Sequence, residues 1–168
     1  MHVGESPLRY ARHFVHESSG TLLALYTTQG MVYTLGVHDD AKADLAEIAK
    51  TVPKAAASIT ALLEVIKASQ WWLESLSMEE FGASESQLIH VDAIEHESAA
   101  GRNIWRFKAW NLEKQNLQYR VIYSFDTQKR HYLILAVVPR TYAYNPAHPR
   151  INQLQRLYDS LGIRRLGS

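Results

Sequence analysis

The side chains best suited to chemistry in this chain are four cations set among aromatics. Arg106, Lys108, Arg120 and Arg140 stand in or beside segments that also carry Trp105, Phe107, Trp110, Tyr119, Tyr123, Tyr142 and Tyr144. A guanidinium grips phosphate oxygens two at a time and keeps its charge, whereas the ammonium of Lys108 or the phenol of Tyr142 or Tyr144 can pass a proton. Aromatic faces stack bases. A set of this kind suits a polyanion made of phosphates and bases, which makes RNA the leading candidate partner.

The charge is sorted along the chain in the same sense. Residues 101–168 carry 12 Lys and Arg against 3 Asp and Glu, while residues 1–100 carry 6 against 14, so a formal total of +1 conceals a cationic part and an acidic part. Like charges crowded together cost free energy unless an anion is expected between them. Between Lys67 and Arg102 there is no Lys or Arg, but there are Glu74, Glu79, Glu80, Glu85, Asp92, Glu95 and Glu97. That stretch reads as a solvated loop and strand edge, with an acidic flank to the basic site as the sharper alternative.

Strand alternation is what brings the cations together. In Ile104 to Trp110, Arg106 and Lys108 share a face while Trp105, Phe107 and Ala109 point the other way. In Leu117 to Phe125, Arg120 points opposite to Tyr119, Val121, Tyr123 and Phe125. With the apolar sets turned toward helices, Arg106, Lys108 and Arg120 project from the other face. Pro139 stops the third strand, Tyr132 to Val138, so that Arg140 follows it and Tyr142 and Tyr144 come on an extended segment. The expectation is four cations and two phenols converging without an acidic neighbour.

The remaining elements form the scaffold. Val32 to Val37 reads as a strand, and Asp39 or Asp40 caps a helix with Ala41, Leu45, Ile48, Ala49 and Val52 on one stripe. Thr51 and Pro53 start a second helix through Ala55, Ile59, Leu62, Leu63 and Ile66 to about Ser69, giving an antiparallel hairpin. Gln87 to Ile94 alternates as a strand, and Ile151 to Leu161 forms a last helix with Leu154, Leu157, Tyr158 and Leu161 on one face. The order predicts an α+β fold, an antiparallel sheet with helices on one side.

A length of 168 residues suits one domain, here 31–168, with residues 1–30 as an extension of uncertain role; Thr21 to Thr28 can equally supply a strand. The chain has no Cys, which fits a reducing cytoplasm. The longest apolar run, Leu133 to Pro139, is too short to cross a bilayer, and no signal-peptide pattern opens the chain. No phosphate-cradling glycine loop or nucleophile elbow is present, and the eight His show no tight pairing with carboxylates, so neither a metal nor another cofactor is expected. His131, His148 and Glu113 are weaker candidates for proton transfer, Glu113 also for orienting a cation, each read first as a polar edge or turn residue.

Trp105-Arg106-Phe107-Lys108, Tyr119-Arg120-Val121-Ile122-Tyr123 and Val137-Val138-Pro139-Arg140 followed by tyrosines resemble the RelE/ParE superfamily of bacterial toxins from toxin–antitoxin pairs. Asp39-Asp40-Ala41 and Asp44-Leu45 after the strand from Val32 match its N-terminal pattern, and the likeness covers about residues 31 to 162. The resemblance implies a RelE-like sheet with an N-terminal helical hairpin packed on one side and a C-terminal helix. It implies a metal-independent endoribonuclease that cuts mRNA on the ribosome by attack of a ribose 2′-hydroxyl on its own 3′-phosphate.

Carried over by position, Lys108 resembles the catalytic lysine and assists removal of the 2′ proton. Arg106 stands where RelE has another lysine, and an arginine there keeps its proton. Arg120 resembles the central-strand arginine that steadies charge on the phosphate. Arg140, Tyr142 or Tyr144 assists the leaving oxygen, and Lys129 and Arg130 join Arg106, Lys108, Arg120 and Arg140 in holding RNA. The implied partners are a cognate antitoxin, mRNA and the ribosome, with no membrane. Two alternatives stay open: a ParE-like inhibitor that binds DNA gyrase, and a non-catalytic RNA- or antitoxin-binding domain.

Overall fold

The computed structural model of the chain describes residues 32–167, so the expectations for residues 1–30 lie outside the described residues. The period-two segments are strands. β1 (Thr34–Val37), β2 (Ile89–Ala93), β3 (Ile104–Ala109), β4 (Tyr119–Asp126) and β5 (His131–Pro139) make one sheet in the order β1-β5-β4-β3-β2. From β2 to β5 the chain is the expected antiparallel meander, with a register shift between Ile122 and Tyr123.

β1 departs from the expected all-antiparallel sheet. It runs parallel to β5, pairing Thr34 with His131 and Val37 with Ile134. Strands so distant in sequence are joined by no hairpin, and helices between them return the chain in the parallel sense.

Those helices begin with α1 (Asp39–Thr51) and α2 (Pro53–Lys67). The cap of α1 is His38, whose Nδ1 accepts from the Asp40 amide at 3.1 Å, so neither expected aspartate is the cap. Asp39 and Asp40 instead occupy the first turn, where their charge suits the exposed amides. α3 (Gln70–Ser75) and α4 (Glu95–Ala99) lie in the stretch read as loop and edge. The short turns α5 (Trp110–Glu113) and α6 (Arg140–Ala143) follow β3 and β5, and α7 (Pro149–Ser160) completes the described elements.

The helices cover both sides of the sheet, which corrects the one-sided expectation. On one face Ala55, Ile59, Leu63 and Ile66 of α2 and Leu73 of α3 share a core with Val91, Phe107, Val121, Tyr123 and Val137. On the other, Ile151, Leu154 and Tyr158 of α7 pack with Ile104, Ile122, Ala136 and Val138. The second face is therefore apolar at its Ile104 and Ile122 positions and cationic at Arg106, Lys108 and Arg120 on the same strands. α7 covers the apolar part because its stripe has nowhere else to be buried.

β1 ends at Val37, which leaves backbone groups of β5 beyond Ile134 without a strand on that side. Asp44 of α1 accepts from the Val137 amide at 2.9 Å, and Arg150 of α7 donates to the Leu135 carbonyl at 3.2 Å. The two side chains also join each other, Nε to Oδ1 at 3.1 Å and Nη2 to Oδ2 at 2.7 Å. A forked ion pair thus takes over where the edge strand stops.

Candidate functional site

Pro139 ends β5, and the chain then coils into α6 instead of continuing extended. In a helical turn residues four apart meet and residues two apart diverge. The expected pair of phenols is thereby split. The Tyr142 ring stacks on His148 at 3.8 Å, while the Tyr144 ring falls among guanidiniums. Arg106, Arg140 and Arg120 place their Cζ atoms 4.4, 5.5 and 5.8 Å from its centroid. One phenol, from a loop end, is the meeting point of three cations from β3, β4 and α6.

The three arginines are held in different ways. Arg120 is 3% exposed, donates to the Tyr119 carbonyl at 2.8 Å and is ion-paired with Glu113. Glu113, at the end of α5, therefore orients a cation and is not merely a solvated turn acid. Arg106 reaches Asp92 at 3.4 Å, its neighbour in the β2–β3 register. Arg140 is exposed and has no carboxylate partner among the described residues. The expected absence of acidic neighbours does not hold for two of the three, because pairing of β2 with β3 and the α5 turn bring carboxylates in from outside the basic segments.

Lys108 shares the face of Arg106, but its Nζ lies 4.1 Å from the centre of the Trp110 ring. That ring stacks on His90 at 5.8 Å and 1° and donates Nε1 to the Gly82 carbonyl at 2.8 Å. Lys108 is therefore at the margin of the patch, on a rigid aromatic shelf. Trp105 packs against the core, with its indole donating to Asn103 at 2.7 Å.

Other expected site residues lie elsewhere. Lys129 and Arg130 occupy the turn between β4 and β5, at the opposite end of that hairpin from Arg120 and Arg140, and Lys129 pairs with Asp126 at 3.3 Å. His131 bonds Thr34 across the β1–β5 pair at 2.8 Å, and His148 caps α7. Both histidines have structural partners.

The patch opens onto a cleft of about 510 Å³. Arg106 and Tyr144 line it together with Glu79, Glu95, His96 and Ser98, and Ala93, Ile94 and Ala143 add apolar surface. The acidic stretch is thus a flank of the basic site, the sharper of the two readings of its charge. Asp92, Glu79 and Glu95 are the functional candidates that strand patterning alone does not single out, although the alternation of His90 with Asp92 on β2 signals their common face.

Three histidines also have closer carboxylates than the sequence suggests. His96 lies 3.1 Å from Glu97 and His38 3.6 Å from Asp40. His90 Nε2 lies 3.3 Å from Glu80 and 3.5 Å from Asp92, and one ligand atom from each of the three side chains lies within 4.8 Å of the others. They are the group among the described residues with a spacing able to hold a divalent ion.

The arrangement offers fixed positive charge, one exposed phenol and a neighbouring ammonium. Such groups bind a phosphodiester and stabilise charge that develops on it. Comparison with family models, with curated proteins and with solved structures finds no match to this chain.

Proposed function

We propose that this protein is an RNA-directed, metal-independent endoribonuclease and the toxin of a toxin–antitoxin pair, with mRNA on the ribosome as its substrate. The observation that carries the reading is Tyr144 framed by Arg106, Arg120 and Arg140. In the proposed reaction the ribose 2′-oxygen attacks the adjacent phosphorus and the bond to the 5′-oxygen breaks, leaving a 2′,3′-cyclic phosphate and a 5′-hydroxyl. Arg140 and Arg106 hold the phosphate oxygens. Arg120, fixed by Glu113, is a positioning residue that keeps positive charge beneath Tyr144.

Two protons must move, one from the 2′-hydroxyl and one to the departing 5′-oxygen. Lys108 and Tyr144 are the groups of the patch that exchange protons, since arginine does not. Lys108 takes the first as the neutral amine, becoming an ammonium, and Tyr144 supplies the second, becoming a phenolate. A cognate antitoxin would have to cover Arg140 and Tyr144 to silence the site.

Induction of the protein in cells followed by mapping of mRNA 5′ ends tests this reading. Cuts spaced by codon that vanish in Lys108→Ala, Tyr144→Phe and Arg140→Ala are expected. Intact mRNA with broken chromosomal DNA overturns it in favour of gyrase inhibition, and intact mRNA and DNA in favour of a binding domain.

A further inference from the structure

Glu79 and Glu95 pose a problem for a surface meant to hold only phosphate. Both border the cleft that Arg106 and Tyr144 also line, and neither has a hydrogen-bond or ion-pair partner among the described residues. Asp92 and Glu113, by contrast, are engaged by Arg106 and Arg120. Free carboxylates repel a phosphate backbone, but they accept hydrogen bonds from base N–H groups.

The cleft has the other parts of a base site. The Arg106 guanidinium already lies on the Tyr144 ring at 4.4 Å, and planar guanidiniums and phenols are the surfaces on which unpaired bases stack. Its volume of about 510 Å³ is in the range of small-ligand pockets, ~300–1,000 Å³. Ala93, Ile94 and Ala143 give it an apolar lining for the ring. Ser98 adds a hydroxyl that can donate or accept.

We infer that this cleft is a base-selecting subsite that receives the nucleotide beside the bound phosphate and favours guanine. Guanine presents two adjacent N–H donors on its Watson–Crick edge, matched to the two oxygens of one carboxylate, Glu95 or Glu79. Adenine and cytosine each present an amino group next to a ring acceptor, which a carboxylate meets with only one hydrogen bond. Uracil presents one N–H between two carbonyls that the acids repel. The order of preference is therefore guanine, then adenine and cytosine, then uracil. The inference rests on the RNA-directed reading above.

Binding of the full chain to four 2′-O-methyl pentanucleotides, UUGUU, UUAUU, UUCUU and UUUUU, tests it without cleavage. UUGUU is expected to bind about tenfold tighter than UUUUU, the lower part of the range for a bidentate base contact. In the double variant Glu79→Gln with Glu95→Gln that preference is expected to vanish while UUUUU binds at least as well as before. Equal binding of all four by the unaltered protein overturns the subsite and leaves the RNA reading standing, as does a preference that survives in the double variant. No binding of any of the four overturns the subsite, while the RNA reading stands or falls with the mapping of mRNA 5′ ends.

Discussion

Arg150 and Arg140 stand ten residues apart and do opposite things. Arg150 is 14% exposed and spends its fork on Asp44 and the Leu135 carbonyl, joining α7 to α1 at the edge of β5. Arg102 behaves likewise, between Glu97 and Asp159. Arg140 has no acid to hold among the described residues, and its guanidinium lies 5.5 Å from the centre of the Tyr144 ring. The excess of positive charge in the C-terminal part is therefore two populations, one neutralised by the fold and one left open. Counting charges cannot separate them; only the position of each carboxylate does.

The sharpest way to break the contrast is at Arg120, which is neutralised by Glu113 and yet lies beside Tyr144. Glu113→Ala leaves a guanidinium that is 3% exposed without its carboxylate, and a loss of about 4 kcal/mol in denaturant unfolding is expected. Glu113→Gln keeps a hydrogen bond and should recover part of it. Next in size is Asp44→Ala, which strips Arg150 and the Val137 amide of their acceptor, with an expected loss of about 3 kcal/mol in the same measurement. A stability near that of the unaltered protein would show that the edge ion pair is ornamental.

Arg140→Ala should do the reverse, costing under about 0.5 kcal/mol of stability as an exposed substitution. It is expected to weaken RNA binding and to lower by about 1 the slope of log affinity against log salt, as the loss of one phosphate contact does. An unchanged salt slope would place Arg140 outside the interface.

The smallest effect is expected in the core. Burial pushes the Tyr132 phenol from an ordinary 10.0 up to about 12. The raised value favours the neutral form in the folded state, so this contribution is complete below pH 10 and is lost as pH climbs toward 12. Tyr132→Phe should leave stability nearly unchanged at neutral pH, where the phenol is uncharged folded or unfolded, and should soften the alkaline loss. Equal alkaline sensitivity in both proteins would assign the loss to other groups.

Local periodicity makes α1, α2, α7 and β2 to β5 legible, because each repeats its apolar positions several times. It fails for α3, whose six residues are too few for a helical stripe. It fails with more consequence at α6, where a proline before Arg140 suggests extended chain; the coil there is what sends Tyr142 to His148 and Tyr144 to the arginines. Alternation correctly places Arg106, Lys108 and Arg120 on one face of the sheet. What it cannot supply is the partner strand: the approach of Asp92 to Arg106 depends on the β2–β3 register, and the parallel seat of β1 on a contact between residues 97 apart.

That parallel pairing also sets an order of events during synthesis. β1 is made early, yet the strand it pairs with ends only at Pro139. Until residues 131–134 have left the ribosome, α1 and α2 have an apolar side and no finished sheet to lay it on. Bringing such distant strands together is slow compared with closing a hairpin. The β2–β5 meander should therefore form first and the β1 edge last, so a nascent chain carries an uncovered apolar surface from the making of α1 and α2 until β5 has emerged, and is most exposed to aggregation or to a helper protein in that interval.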